Sequence, residues 1–199
     1  MNRRLAIKNL SLTLGFTIAT PTLISMLSSC NNNEFNWKPV FLDDTEKLII
    51  EFLVDIILPK SDSLGASELN TTQFIDEMAS NTLDENEQSI FKMGSKLFAN
   101  KFEDLFNKKV LKADIKEINL LLDRYFNLPE NDEKKVFKLL KSNFSEVQEQ
   151  EKEIFLIYKF LTLVRNSSIL YYYSSKPVLE GLLSYESTPG NYHSCIDIS

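Results

Sequence analysis

The chain has 199 residues, 43% hydrophobic and 25% charged, with 22 Lys and Arg against 28 Asp and Glu for a net charge of −6. That length supports one domain with a real core, and the acidic balance excludes nucleic acid, whose phosphates call for a basic surface. The same balance argues against electrostatic attraction to anionic lipid, and two cysteines are too few for a disulfide scaffold.

The first thirty residues read as an address label. Arg3 and Arg4, followed by Leu5, Ala6, Ile7 and Lys8, make a charged head, and an apolar run from Leu10 to Leu27 ends in Ser28, Ser29 and Cys30. A basic head, an apolar middle and a small-residue cleavage site are the parts of a secretory signal. The paired arginines resemble a twin-arginine export signal, and the ending resembles the bacterial lipobox, in which the cysteine is acylated and becomes the first mature residue. The apolar run is interrupted by Gly15 and Pro21, which makes it a weak membrane span. We expect residues 1–29 to be cleaved and Cys30 to carry the lipid. The removed segment holds three cations, Arg3, Arg4 and Lys8, and no acid, so the mature chain of 170 residues carries −9. Membrane association then comes from the lipid on Cys30, on the periplasmic side of the cell envelope. Cys195 is left without an intramolecular partner, either buried or paired with another chain.

Residues 30–42 read as a lipidated, Asn-rich tether, and residues 43–199 as a single helical domain. Asp43 with Glu46 is a capping-box pattern. It opens a helix with Leu48, Ile49, Phe52, Leu53, Ile56 and Ile57 at helical spacing, which Pro59 stops. Asp55 lies at the margin of that face, where a half-exposed carboxylate receiving a local hydrogen bond is the expected role. After a Ser-rich loop, Thr71 or Thr72 is expected to cap a short helix with Phe74, Ile75 and Met78 inward. Asp84 and Glu87 repeat the capping box before a longer helix with a phenylalanine stripe. Gly94 in its middle costs about 1 kcal/mol relative to Ala and so predicts a close helix crossing. Further helices are expected over Asp114 to Phe126, from Asn131 or Asp132 onward, and from Glu146 to about Tyr173. The last is apolar over a wide arc, as suits the central helix of a bundle. The fold class is therefore all-α: a single irregular bundle of about six helices with an extended C-terminal tail.

The chain carries no Gly-x-Gly-x-x-Gly turn, no phosphate-cradling loop, no Gly-x-Ser-x-Gly elbow and no Cys-x-x-Cys-His haem site. Ser89 and Lys92 match Ser-x-x-Lys inside a helix with no supporting motif. His193, the only histidine, stands two residues from Cys195, and a closed zinc site would need further ligands. No catalytic, cofactor-binding or metal-binding residues are expected in this chain. At the C-terminus, Tyr171, Tyr172 and Tyr173 turn through about 100° per residue, so their rings cannot all face one core. At least one is expected at the surface, where tyrosine favours protein interfaces. Tyr172, Tyr173, Tyr185, Pro189, Gly190, Tyr192 and Cys195 are the candidate partner-interface residues, with packing of the tail on its own bundle as the alternative.

Taken together, these segments resemble the gluconate 2-dehydrogenase subunit 3 family. Leu53-Val54-Asp55-Ile56-Ile57-Leu58-Pro59 is similar to its Ala-Asp-x-Ile-Ile-Pro helix end, and Gly65-Ala66 with Phe74-Ile75-Asp76 to its Pro-Gly-Ala and Phe-Ile-Asp segment. Tyr185 with Pro189-Gly190-Asn191-Tyr192-His193-Ser194-Cys195 is similar to its Pro-Gly-x-Tyr-x-Gly-Cys ending. Ser194 stands in place of the usual glycine, Ser63-Leu64 in place of the proline before Gly65, and Ser175-Lys176 in place of a Ser-Glu. The resemblance implies a non-catalytic small subunit that exports, anchors and stabilises a periplasmic dehydrogenase of sugars, gluconate or polyols. Its partner would be a large flavoprotein of the glucose–methanol–choline type holding FAD, often with a cytochrome c subunit whose haem takes the electrons. Two alternatives are a stand-alone helical lipoprotein that binds a ligand or envelope protein, and a self-sufficient enzyme using Asp55, His193 or Cys195.

Overall fold

The computed structural model describes residues 37–183. The chain divides into two units, Met1–Lys38 and Pro39–Ser199, and the account below concerns the second. Among the described residues it is all-α, with seven helices and no strand. These are α1 (Asp44–Ile57), α2 (Thr71–Thr82), α3 (Glu85–Phe106), α4 (Ile115–Phe126), α5 (Glu130–Leu140), α6 (Glu149–Ser174) and α7 (Lys176–Gly181). The seventh is a single short helix that follows α6 directly at Ser175; Pro177 within its first turn supports the start. The expected extended C-terminal tail lies outside the described residues, which end at residue 183.

Local chemistry sets most of the boundaries. Asp43 and Glu46 form a complete capping box at α1, as do Asp84 and Glu87 at α3 and Asp114 and Glu117 at α4. Each satisfies two donors that the helix start would otherwise leave bare. α1 ends at Leu58, before Pro59, which can neither donate to the helix nor tolerate a helical residue ahead of it. α3 ends on Asn107 in the left-handed region, φ 52°, a conformation that asparagine tolerates better than most residues. Two starts differ from expectation. Neither Thr71 nor Thr72 caps α2. Asn70, left-handed at φ 56°, precedes the helix without a side-chain cap, because Thr71 is fully buried and its hydroxyl donates to Ala66 O at 2.8 Å. α5 begins at Glu130, ahead of Asn131, since Pro129 supplies the extended residue that enters the helix.

α6 is the axis of the bundle and packs against α1, α2, α3, α5 and α7. Its apolar arc is wide, and half of its most apolar window is buried inside the protein, as expected of a core helix. The most extensive contact is with α3. These two helices run antiparallel: Phe91 meets Phe160 edge-on at 5.1 Å, Gly94 lies against Leu156, and Lys101 pairs with Glu153 at 2.5 Å. Phe91, Phe98, Phe102, Phe155 and Phe160 are all fully buried, each contributing roughly 1.5–3 kcal/mol of apolar burial. The phenylalanine stripe is core.

Gly94 is the point of closest approach. A Cβ there would stand 2.3 Å from Leu156 O and 2.8 Å from Phe160 Cβ. No side chain fits between these two backbones.

Candidate partner-binding surface

Buried polar groups come first, because chemistry would need them. Glu46, 5% exposed, accepts a hydrogen bond from Ser95 Oγ at 2.7 Å and pairs with Lys92, whose Nζ also donates to Phe41 O at 2.6 Å. Lys92 lies 4.2 Å from the centroid of the Phe41 ring. Asp76, fully buried, accepts three successive backbone N–H groups, from Val40, Phe41 and Leu42, at 2.8, 2.9 and 2.7 Å. A buried carboxylate needs such partners to stay charged, and together the two groups bind residues 40–42 to the bundle. Their polar valences are spent inside the protein.

The sequence signal for both was a carboxylate at a core register. Asp76 falls at i+4 from Thr72, i+1 from Ile75 and i−3 from Ala79, all buried, and Glu46 precedes Ile49 and Ile50 by three and four residues. The Ser89–Lys92 motif does not form a pair: Ser89 Oγ donates to Glu85 O, while Lys92 turns to Phe41 and Glu46. Asp55 is half-exposed and accepts from Ser67 Oγ, the local role expected of it. Among the described residues no group of three or more His, Cys, Asp or Glu is placed to hold a metal.

The front segments quoted for the family resemblance meet the end of α6 at one end of the bundle. Ala66 is fully buried and its N–H donates to Leu58 O at 3.0 Å, which ties the loop to the end of α1. Gly65 permits that turn: a Cβ there would stand 2.9 Å from Lys60 N. Glu68 closes the loop, accepting from Lys60 Nζ at 2.6 Å and Gly65 N at 3.0 Å. The Lys60 hydrogen bond, and then the Gly65 N–H, hold its carboxyl below the usual range. From the far end of the chain, Tyr172 and Val178 pack on Leu69 with Leu58 against them, and Tyr171 stacks on Phe74 with centroids 4.4 Å apart. The front segments thus share one small core with the end of α6 and with α7.

The tyrosine triplet divides by helical rotation. Tyr172 is 6% exposed and belongs to this internal core; Tyr171 is half-buried; Tyr173 is 54% exposed. Leu170, Leu182 and Leu183 are exposed at the same end, at 64%, 55% and 50%. Of the candidate interface residues, Tyr173 presents its ring outward and Tyr172 presents it inward. Tyr185, Pro189, Gly190, Tyr192 and Cys195 lie outside the described residues, as do Arg3, Arg4 and Cys30. Nothing in the sequence marks these leucines as exposed, because exposure depends on neighbours that only the fold supplies.

The family model described as gluconate 2-dehydrogenase subunit 3 matches residues 44–190, a span that takes in every helix above. The chain belongs to that family. No curated protein and no solved structure matches it. The family name gives this subunit an accessory place in a dehydrogenase complex.

Proposed function

We propose that this subunit exports, anchors and stabilises a periplasmic flavin-dependent dehydrogenase acting on a sugar, gluconate or a polyol. The twin-arginine-type segment around Arg3 and Arg4 suits a folded, cofactor-loaded cargo better than a small domain that could cross unfolded. Cys30, once acylated, holds the assembly at the membrane on the periplasmic side. FAD belongs to the large subunit, of the glucose–methanol–choline type, and haem to a cytochrome c subunit where one is present.

The observation that carries this reading is the end of the bundle built by the front family segments and the end of α6. Contacts among Leu58, Leu69, Phe74, Tyr171 and Tyr172 and the Ala66–Leu58 hydrogen bond build its base, yet Leu170, Tyr173, Leu182 and Leu183 stand exposed on it. Rigid aromatic and aliphatic anchors beside a packed base are the usual material of a protein interface. The test is purification of the tagged chain from native membranes. A co-purifying yellow flavoprotein is expected, and Tyr173→Ser with Leu182→Ser should reduce its recovery while the small subunit stays folded by circular dichroism. A chain that isolates alone from those membranes overturns the reading. Mass spectrometry of the mature N-terminus should find an acylated Cys30, and a retained Met1 overturns the anchor.

A further inference from the structure

α5 is the least embedded helix of the bundle. None of its residues is buried, although residues 134–141 read Lys-Lys-Val-Phe-Lys-Leu-Leu-Lys. At 100° per residue these sort into two faces. Val136, Leu139 and Leu140 turn inward and are half-buried, with Leu139 packed on the cluster of Val147, Phe155 and Leu156. Lys134, Lys138 and Lys141 follow at i, i+4 and i+7 and form an outward stripe, every member exposed. Phe137 stands beside the stripe at 57% exposure.

The eight residues hold four lysines and no carboxylate. Lys134 pairs with Glu130 at 2.5 Å and Lys135 with Asp132 at 2.7 Å, both in solvent, where such pairs are weak. Among the described residues no carboxylate pairs with Lys138 or Lys141. The first turn of α5 holds Glu130, Asp132 and Glu133, so the helix is divided between an acidic start and a lysine-rich end.

A cationic stripe beside an exposed aromatic ring, on a helix whose other face holds the protein, has the chemistry of a membrane-surface contact. Lysine stems can lie along the interface while their ammonium groups reach phosphate. The attraction of an anionic leaflet fades within a Debye length, so it acts on a domain already tethered close by. That requirement rests on the proposed lipid at Cys30. We propose that Lys134, Lys138, Lys141 and Phe137 seat this domain on an anionic phospholipid surface. The stripe is a second, orienting contact beyond the acyl anchor, and two weak membrane signals together hold better than either alone.

The processed, acylated chain is placed in nanodiscs of phosphatidylcholine, with or without phosphatidylglycerol, and hydrogen exchange is followed in the peptide spanning residues 130–141. Exchange roughly tenfold slower on the anionic discs is expected, with the difference lost in high salt and lost in the K134Q/K138Q/K141Q variant. Phe137→Ser should weaken the protection without abolishing its salt dependence. Equal exchange on both discs, or a triple variant that behaves as wild type, overturns the stripe while leaving the anchor intact. Protection that appears only when a second protein co-purifies also overturns it, by making α5 a protein contact. A chain whose Cys30 carries no lipid, and which fails to enter the discs, overturns anchor and stripe together.

Discussion

Gly94→Ala tests the packing logic of the whole bundle. By propensity alone the change should stabilise α3 by about 1 kcal/mol. In the protein the added methyl meets Leu156 O at 2.3 Å, Leu156 C at 3.0 Å and Phe160 Cβ at 2.8 Å. Two of those atoms are helix backbone and cannot rotate away, so α3 and α6 must separate along their largest contact. Overpacking of this kind costs roughly 1–3 kcal/mol, and more when the obstacle is rigid. Net of the propensity gain, we expect a loss of about 2 kcal/mol, which for a domain of this size lowers the melting temperature by about 4–8 °C. Gly181→Ala is the internal control, because a Cβ there meets nothing within 4 Å. Thermal unfolding followed at 222 nm should show Gly94→Ala melting well below wild type and Gly181→Ala at or slightly above it. A Gly94→Ala protein as stable as wild type would refute the argument that this glycine exists for the helix crossing.

Three further outcomes follow from the buried charges and the titrating surface. Asp76→Asn replaces one acceptor oxygen by an amide that faces a backbone N–H, and should cost about 2 kcal/mol; hydrogen exchange at residues 40–42 should accelerate ahead of the α3 and α6 core. Lys92→Met leaves Glu46 buried without its cation, though still hydrogen-bonded by Ser95 and Asp43, and should cost roughly 1–3 kcal/mol, read by urea denaturation. Glu51 is the pH-sensitive case: desolvation first, and then Asp55 nearby, raise its carboxyl above the ordinary value of 4.5 despite Lys47. A raised folded-state pKa stabilises below the unfolded value and loses that stability as pH rises through the folded one. Glu51→Gln should therefore raise the melting temperature slightly at pH 7 and leave it unchanged below pH 4; an equal shift at both would refute the assignment.

Patterns that act within a turn or two of chain were legible from the residues alone. The capping boxes at Asp43 and Asp84, the stop at Pro59, the phenylalanine stripe of α3 and the broad apolar arc of α6 depend on spacing and backbone chemistry, which the chain carries wherever it folds. Gly94 was legible too, since a glycine in mid-helix has a propensity cost that only close packing offsets. The family segments were readable as words but not as a place. That Leu58 and Phe74 would meet Tyr171 and Tyr172 required α1, α2 and α6 to be brought to one end of the bundle.

Tertiary structure alone decided which polar and apolar groups are inside. Glu46 read as half of a capping box and Asp76 as part of a family segment, and burial made both into the fixtures that hold residues 40–42. Lack of a neighbour left Leu170, Leu182 and Leu183 in solvent. The stripe on α5 was hidden for the same reason: net charge is a sum over the chain, whereas a partner meets only the lysines that folding places side by side. Sequence determined the helices and their ends, because those energies are local. The surfaces through which this subunit acts are defined by what each helix fails to cover, and that depends on every other helix in the domain.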